Sequence, residues 1–192
     1  SRRVIEPYAK DAVVLDGCSY TGAFTLHALR AGAKHVDLLD SSEQALRQAL
    51  VHIHINQDLK TIPEGSREKV EITQCDIFEQ MWHIEKDHYD LMILDPPKLA
   101  QTKAQAEGAQ KAYKDLNRLA MQKIKDGGII ATFSCSSAIS AEQLRMILAW
   151  SAKDAMVEIQ ILQKLGQGHD HPIRISFPES EYLNGYLLRV IR

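Results

Sequence analysis

The sequence predicts an α/β fold built on a doubly wound, mostly parallel seven-stranded sheet with a C-terminal antiparallel strand. Three observations lead there. Short apolar runs bounded by turn residues alternate with stretches of helical spacing along the chain. The first run opens the segment Val-Val-Leu-Asp-Gly-Cys-Ser-Tyr-Thr-Gly-Ala-Phe at residues 13–24, a strand, a glycine-bearing turn and a helix start. Four consecutive runs are followed by acids, at Asp16, Asp40, Asp76 and Asp95. Alternating strands and helices imply a parallel sheet covered on both faces, and in such sheets ligands sit beyond the carboxyl ends of the strands.

Taken in order, residues 1–12 read as an irregular lead-in and 13–192 as one domain. The first strand covers 13–15 and the first helix 23–31, closed by Gly32. The second strand, 36–39, ends at Asp40, and Ser41 with Gln44 forms a capping box for a helix burying Leu46, Ala49, Leu50 and Ile53. Residues 57–69 are polar, with Pro63 and Gly65, and read as a surface loop. Strands follow at 70–73 and 90–94, then a helix over about 110–124 and a turn at Asp126-Gly127-Gly128. The fifth strand, 129–133, runs into Ser134-Cys135-Ser136-Ser137, and Ser140 with Gln143 caps a helix that turns Leu144, Ile147 and Leu148 inward. Two last strands, 157–162 and 186–191, flank a loop holding Asp170-His171-Pro172.

Composition bounds the function. The chain has 192 residues, 45% apolar and 25% charged, enough for one core. No apolar run approaches the roughly 20 residues of a membrane span, and the start lacks the apolar stretch of a signal peptide. A net charge of −2 gives no support to nucleic-acid binding by the whole surface, so any RNA grip is expected from local patches or from a part outside this chain. Cys18, Cys75 and Cys135 are far apart, which argues against a zinc site or disulfides and for a reducing, cytoplasmic setting. His52 and His54 diverge on a helix, so no metal is expected. Ser1 in place of Met is expected to mark a fragment.

The strand ends suggest a nucleoside ligand without phosphates. Asp40 follows Gly22 at about the spacing at which an acid accepts from both hydroxyls of a ribose. Asp76 is placed to accept from an adenine amine, with Ile77 or Phe78 against the ring, and Asp16 to reach a ligand's amino group. Each acid also reads as an N-cap or turn residue. No Gly-Lys-Ser/Thr phosphate cradle occurs, so the pattern favours S-adenosylmethionine over ATP or NAD. Asp95-Pro96-Pro97 fixes an extended backbone without N–H donors after Asp95, projecting that carboxylate towards the edge of a planar base. Lys98 stands where an aromatic would stack in amino-group methyltransferases with a similar motif. Cys135 ends the strand beside Asp95. It reads either as a buried structural thiol or as a nucleophile for C6 of cytosine, an attack that makes C5 able to take a methyl group.

Together these motifs resemble class I S-adenosylmethionine-dependent methyltransferases. The sequence is more closely similar to the catalytic domain of the bacterial 23S rRNA cytosine-C5 methyltransferases that carry an N-terminal PUA domain. The resemblance covers nearly the whole chain. It rests on Ser19-Tyr20-Thr21-Gly22 with Phe24, Asp95-Pro96-Pro97-Lys98, Tyr113-Lys114-Asp115 with Asn117, Phe133-Ser134-Cys135-Ser136, and Asp170-His171-Pro172 with Pro178-Glu179 and Tyr182-Leu183. It implies a Rossmann-like sheet, Cys135 as nucleophile and Asp95 orienting the cytosine. Asp16, Ser19, Tyr20, Thr21, Gly22, Asp40, Ser41, Asp76, Ile77 and Asp95 would line the cofactor cleft. Pro96, Pro97, Lys98, Tyr113, Lys114, Asn117 and His171 would meet the RNA, expected to be 23S rRNA, as monomer or homodimer. Tyr113, Lys114 and Asn117 read equally as an exposed helix surface with one packed ring, and His171 as a turn histidine. The PUA domain and its joining segment are expected to lie outside this chain, and Asn184 stands where the family would have a Lys. No second cysteine adjoins the prolines, so the base that removes the C5 proton is not readable. Two other readings remain open: a guanine-N7 or amino-group methyltransferase of the same fold, needing no thiol, and a non-catalytic cofactor- or RNA-binding module.

Overall fold

β4, Leu91–Leu94, is buried at every residue because it lies at the centre of the sheet with helices on both faces. A computed structural model describes residues 2–100, 103–136, 138–168 and 171–192. Ser137 and Asp170 of the motifs above lie outside the described residues. The other strands are β1, Val13–Gly17; β2, His35–Asp40; β3, Val70–Gln74; β5, Ile129–Ser134; β6, Glu158–Leu165; and β7, Asn184–Ile191. Their spatial order is β3-β2-β1-β4-β5-β7-β6. β1 to β5 pair in parallel, and β7 runs antiparallel between β5 and β6. The expected sheet, including its reversed last strand, is the one present.

Side chains of a strand alternate between faces, and β4 shows the division. Leu91 and Ile93 join Val14, Leu38, Ala131 and Phe133 in one apolar layer. Met92 and Leu94 join Leu15, Ile130 and Tyr186 in the other. The first layer is closed by α1, Glu6–Ala9, α2, Ala23–Arg30, and α3, Glu43–Asp58. The second is closed by α4, Ile77–His83, α5, Ala106–Lys123, and α6, Ala141–Ala155. Ser140 forms the expected capping box. Its hydroxyl accepts from Gln143 N at 3.1 Å, and Gln143 Oε1 accepts from Ser140 N at 2.8 Å.

Three expectations are corrected and one element is added. The lead-in is structured: a 3-10 turn, Arg2–Ile5, and α1 bury Ile5 and Ala9 completely against the core. Pro7 is tolerated because it sits in the first turn, where its missing N–H has no partner to lose. α3 is capped by Ser42 rather than Ser41, since Asp40 accepts from Ser42 N at 2.8 Å and carries the chain one residue further before it turns. The seven-residue α4 has no counterpart in the sequence reading; Asp76 starts it by accepting from Phe78 N at 2.8 Å. The polar stretch after α3 hides Ile62, 4% exposed, so it is not wholly a surface loop.

The outermost strand β6 carries an irregularity where its register with β7 shifts between Ile161 and Gln163. Among the described residues, no helix is long and apolar enough to cross a membrane.

Two glycines test the packing. A Cβ at Gly185 of β7 would lie 2.6 Å from Phe133 Cδ1, whereas a Cβ at Gly108 of α5 meets nothing within 4 Å. Gly185→Ala is expected to destabilise by about 1–3 kcal/mol through overpacking. Gly108→Ala is expected to stabilise by about 0.5–1 kcal/mol through helix propensity. Urea unfolding of the two variants beside wild type checks both signs.

Candidate active site

The site starts from Asp16, 1% exposed at the end of β1. Its Oδ2 accepts from Thr25 N at 3.0 Å and from Thr25 Oγ1 at 2.7 Å, both in the first turn of α2. Oδ1 is buried with no hydrogen-bond partner among the described residues. Burial pushes the Asp16 carboxyl up to about 7, against the pull of Thr25 and with the added repulsion of Asp95 and Asp40.

Between β1 and α2 the chain turns three times through left-handed backbone, at Cys18, Tyr20 and Gly22, with φ of 60°, 49° and 76°. Such non-glycine residues cost on the order of 1 kcal/mol each and persist only where neighbours fix them. Here Ser19 N donates to Leu39 O at 2.9 Å, Gly22 N to Ser19 O at 2.9 Å, and Tyr20 N to Asp40 Oδ2 at 2.8 Å. Gly22 is required twice over, because a Cβ there would also lie 3.0 Å from Ala49 Cβ.

The loop forms one wall of a cavity of about 400 Å³ at the carboxyl ends of β1 to β4. Tyr20, Asp40, Ser41, Asp76, Ile77 and Asp95 line it, together with Pro97 and Phe78. Asp40 uses one lone pair on each oxygen to hold Tyr20 N and Ser42 N, leaving each oxygen free to accept once more. Two hydroxyls on adjacent carbons match that remaining capacity. Cys18 and Cys75 line the cavity as well.

A second cavity, of about 470 Å³, opens on the other side of β4. Asp95 and Cys135 line it with Phe24 and Phe133, whose ring centroids are 5.5 Å apart. Its rim comes from three places: Arg2 and Arg3, His27 of α2, and the β6–β7 connection through Gln167, His171 and Tyr182. Asp95 thus borders both cavities. Burial raises its carboxyl to about 6, with Arg2 pulling the other way. The Cys135 thiol faces Pro96 O at 3.9 Å. Burial and the charge of Asp95 push it above its ordinary value of 9.0, and Lys98 opposes them.

Other expected site residues line neither cavity, although the Tyr113 side chain lies beneath the site beside Ser134 and Ser136. Tyr113 and Asn117 are fully buried in the interior of α5, where Asn117 Nδ2 donates to Tyr113 O at 2.8 Å, so neither presents an RNA-contacting surface. Their helix face is the packed one, shared with Ala109, Leu116 and Ala120. Lys114 pairs with Asp154 of α6 at 2.6 Å, away from both cavities. Asp16, Ser19, Thr21 and Gly22 support the cavity wall without lining it; Thr21 O takes a hydrogen bond from His52 at 3.0 Å. Pro96 is buried beside Cys135, and Lys98 is exposed outside both linings. Asn184 donates to Ile139 O at 3.3 Å. The sequence reading missed Arg2, Arg3, His27 and Gln167. The Arg-Arg pair was visible, but only folding of the first turn brings it to the rim.

No family model matches the chain. It is 40% identical over 193 residues to "Ribosomal RNA large subunit methyltransferase I" of Pseudoalteromonas translucida, covering 99% of this chain and 47% of that protein. It is 40% identical over 187 residues to the protein of the same name from Aliivibrio fischeri, covering 96% and 45%. The chain therefore spans about half the length of the curated relatives it matches. Among solved structures, SMU.776, assigned as a methyltransferase and complexed with SAH, superposes with a TM-score of 0.77 at 19% identity, over 97% of this chain and 48% of that one. TYW2 of P. horikoshii, in complex with MeSAdo, gives 0.66 at 15%, over 99% and 61%. The fold is that of the class I methyltransferases.

The strained acid sets a pH dependence. A carboxyl at about 7 when folded and near 3.8 when unfolded favours the folded state at low pH, and that contribution is lost as pH rises from about 4 through about 7. Asp16→Asn is expected to gain stability relative to wild type, on the order of a few kcal/mol, between pH 5 and pH 8. Urea unfolding at both pH values measures it; parallel profiles would show that Asp16 stays at its ordinary value.

Proposed function

We propose that this chain, a homologue along its whole length of ribosomal RNA large subunit methyltransferase I proteins, is the catalytic unit of an S-adenosylmethionine-dependent enzyme that forms 5-methylcytosine in large-subunit rRNA. The observation that carries this reading is the single acid Asp95 between two cavities, with the Cys135 thiol in the second. A methyl donor on one side and a base on the other would meet there.

The first cavity fits S-adenosylmethionine. Asp40 retains two acceptor positions for the ribose hydroxyls, Asp76 and Ile77 stand at the far strand end for the adenine, and about 400 Å³ is ample for a nucleoside with an amino-acid arm. The loop of Ser19 to Gly22 and the buried Asp16 hold that wall in shape. When bound, the cofactor supplies an electrophilic methyl group on a sulfonium.

In the second cavity, Asp95 orients the polar edge of the cytosine and the Cys135 thiolate adds to C6. The ring gains a C–S bond and becomes an enamine, nucleophilic at C5. After methylation, loss of the C5 proton to a base restores the double bond and expels the thiolate. Because burial holds the thiol above its ordinary value, the thiolate fraction rises with pH through and above neutrality. A PUA-type RNA-docking domain outside this chain would supply much of the grip that a net charge of −2 does not. The cytoplasm, where rRNA is processed, is the setting.

Trapping with RNA containing 5-fluorocytidine and the methyl donor tests the chemistry. The expected result is a covalent adduct mapped to Cys135. Cys135→Ala should lower turnover by at least 10³-fold, on the order of a lost nucleophile. It should keep the rise in melting temperature given by S-adenosylhomocysteine. Full turnover by Cys135→Ala would overturn the cytosine-C5 reading in favour of a thiol-free methyltransferase. No thermal shift with S-adenosylhomocysteine in wild type would overturn the cofactor assignment.

A further inference from the structure

Arg2 and Arg3 are exposed, yet they sit on a fixed base. The 3-10 turn that carries them ends in Ile5, fully buried, and continues into α1, whose Ala9 is also fully buried. Both residues line the cavity that holds Asp95 and Cys135. Neither has a carboxylate within 4.0 Å among the described residues; Arg67, Arg145 and Arg189 also have none there, but they line neither this cavity nor the groove beside it, whereas Arg30, Arg47, Arg118 and Arg192 each pair with an acid. Arg2 also borders an adjoining groove of about 190 Å³ along α2, with His27, Arg30 and Asn56. The rim is therefore locally cationic on a chain of net charge −2, and among the described residues Asp95 is the one carboxylate in that cavity's lining.

We infer that Arg2 and Arg3 form a clamp for the RNA phosphates flanking the nucleotide whose base enters the Asp95–Cys135 cavity. The inference rests on the base-pocket reading above and adds the group that holds the strand. A nucleotide drawn into the cavity carries a phosphate on each side, and these stay at the mouth. A guanidinium offers a planar fork of donors that matches phosphate oxygens, and it remains charged at every working pH. In the groove beside α2, His27 and Arg30 are already paired with Glu6, so the cationic charge that stays unpaired there is that of Arg2. Arg2 serves a second purpose from the same place, since its charge holds the raised Asp95 carboxyl down.

Binding of a short single-stranded RNA, measured as a function of salt, tests the clamp directly. Each phosphate contact on a single strand contributes about 0.7 to the slope of log K against log salt. Arg2→Ala with Arg3→Ala is expected to lower the slope by about 1.4 and to raise the RNA KM at least tenfold. S-adenosylhomocysteine binding should be unchanged. Arg2→Lys with Arg3→Lys keeps both charges and should retain the slope while recovering only part of the KM. An unaltered slope and KM in the alanine variant, with its melting temperature intact, would overturn the clamp and leave two solvated arginines. If wild type forms no 5-fluorocytidine adduct but the slope still falls by the stated amount, the clamp stands and the cytosine reading fails. The two results are thus separable.

Discussion

The grip of the buried Asp16 carboxylate on the backbone and hydroxyl of Thr25 is the constraint from which the site follows. It joins the end of β1 to the first turn of α2 at a point where the intervening loop passes three times through left-handed backbone. Such a loop does not hold itself. It is held by this latch beneath, by Leu39 and Asp40 alongside, and by the absence of a side chain at Gly22 against Ala49. A half-satisfied acid in the interior is costly. Its position explains the arrangement: a helix start offers otherwise unpaired N–H donors, and an acid there satisfies one of them while fixing the direction in which α2 leaves the sheet.

Topology then divides the carboxyl edge. β1 and β4 are neighbours from which the strand order runs outward in both directions, so a crevice opens between the connections on either side. The β1, β2 and β3 ends supply one cavity; the β5 end and the β6–β7 connection supply the other. The reversal of β7 matters here. Because it begins at the same edge where β6 ends, the connection between them lies over the site and contributes Gln167, His171 and Tyr182. Asp95 ends the strand between the two halves and so borders both.

Much of this was legible. The central strands read as apolar runs because they are buried, whereas β3 and β6, with one buried residue each, were legible only from spaced aliphatic residues; the acids at the carboxyl ends of β1 to β4 were visible because they break those runs abruptly. Ser140 with Gln143 carried its own signature at the start of α6. The misreadings have physical causes. Ser41 and Ser42 are equivalent as letters, and Asp40's bond to Ser42 N decides between them. α4 is too short to show a period. Tyr113 and Asn117 share a helix face by their spacing, but spacing does not say whether that face looks in or out. The stripe of Ala109, Tyr113, Leu116 and Ala120 was the available signal that it looks in. The rim arginines were out of reach, since their place depends on Ile5 and Ala9 anchoring a segment with no periodicity of its own.

The register shift in β6 has a bearing on how the molecule behaves among its own copies. β6 is a sheet border, and a straight border presents an open row of backbone donors and acceptors to any extended chain that approaches. The irregularity between Ile161 and Gln163 bends that row, and Glu158, Gln160, Gln163 and Lys164 clothe it in polar groups. A sheet finished in this way resists being lengthened by a stray strand, so an otherwise aggregation-prone flank can remain uncovered in a crowded solution.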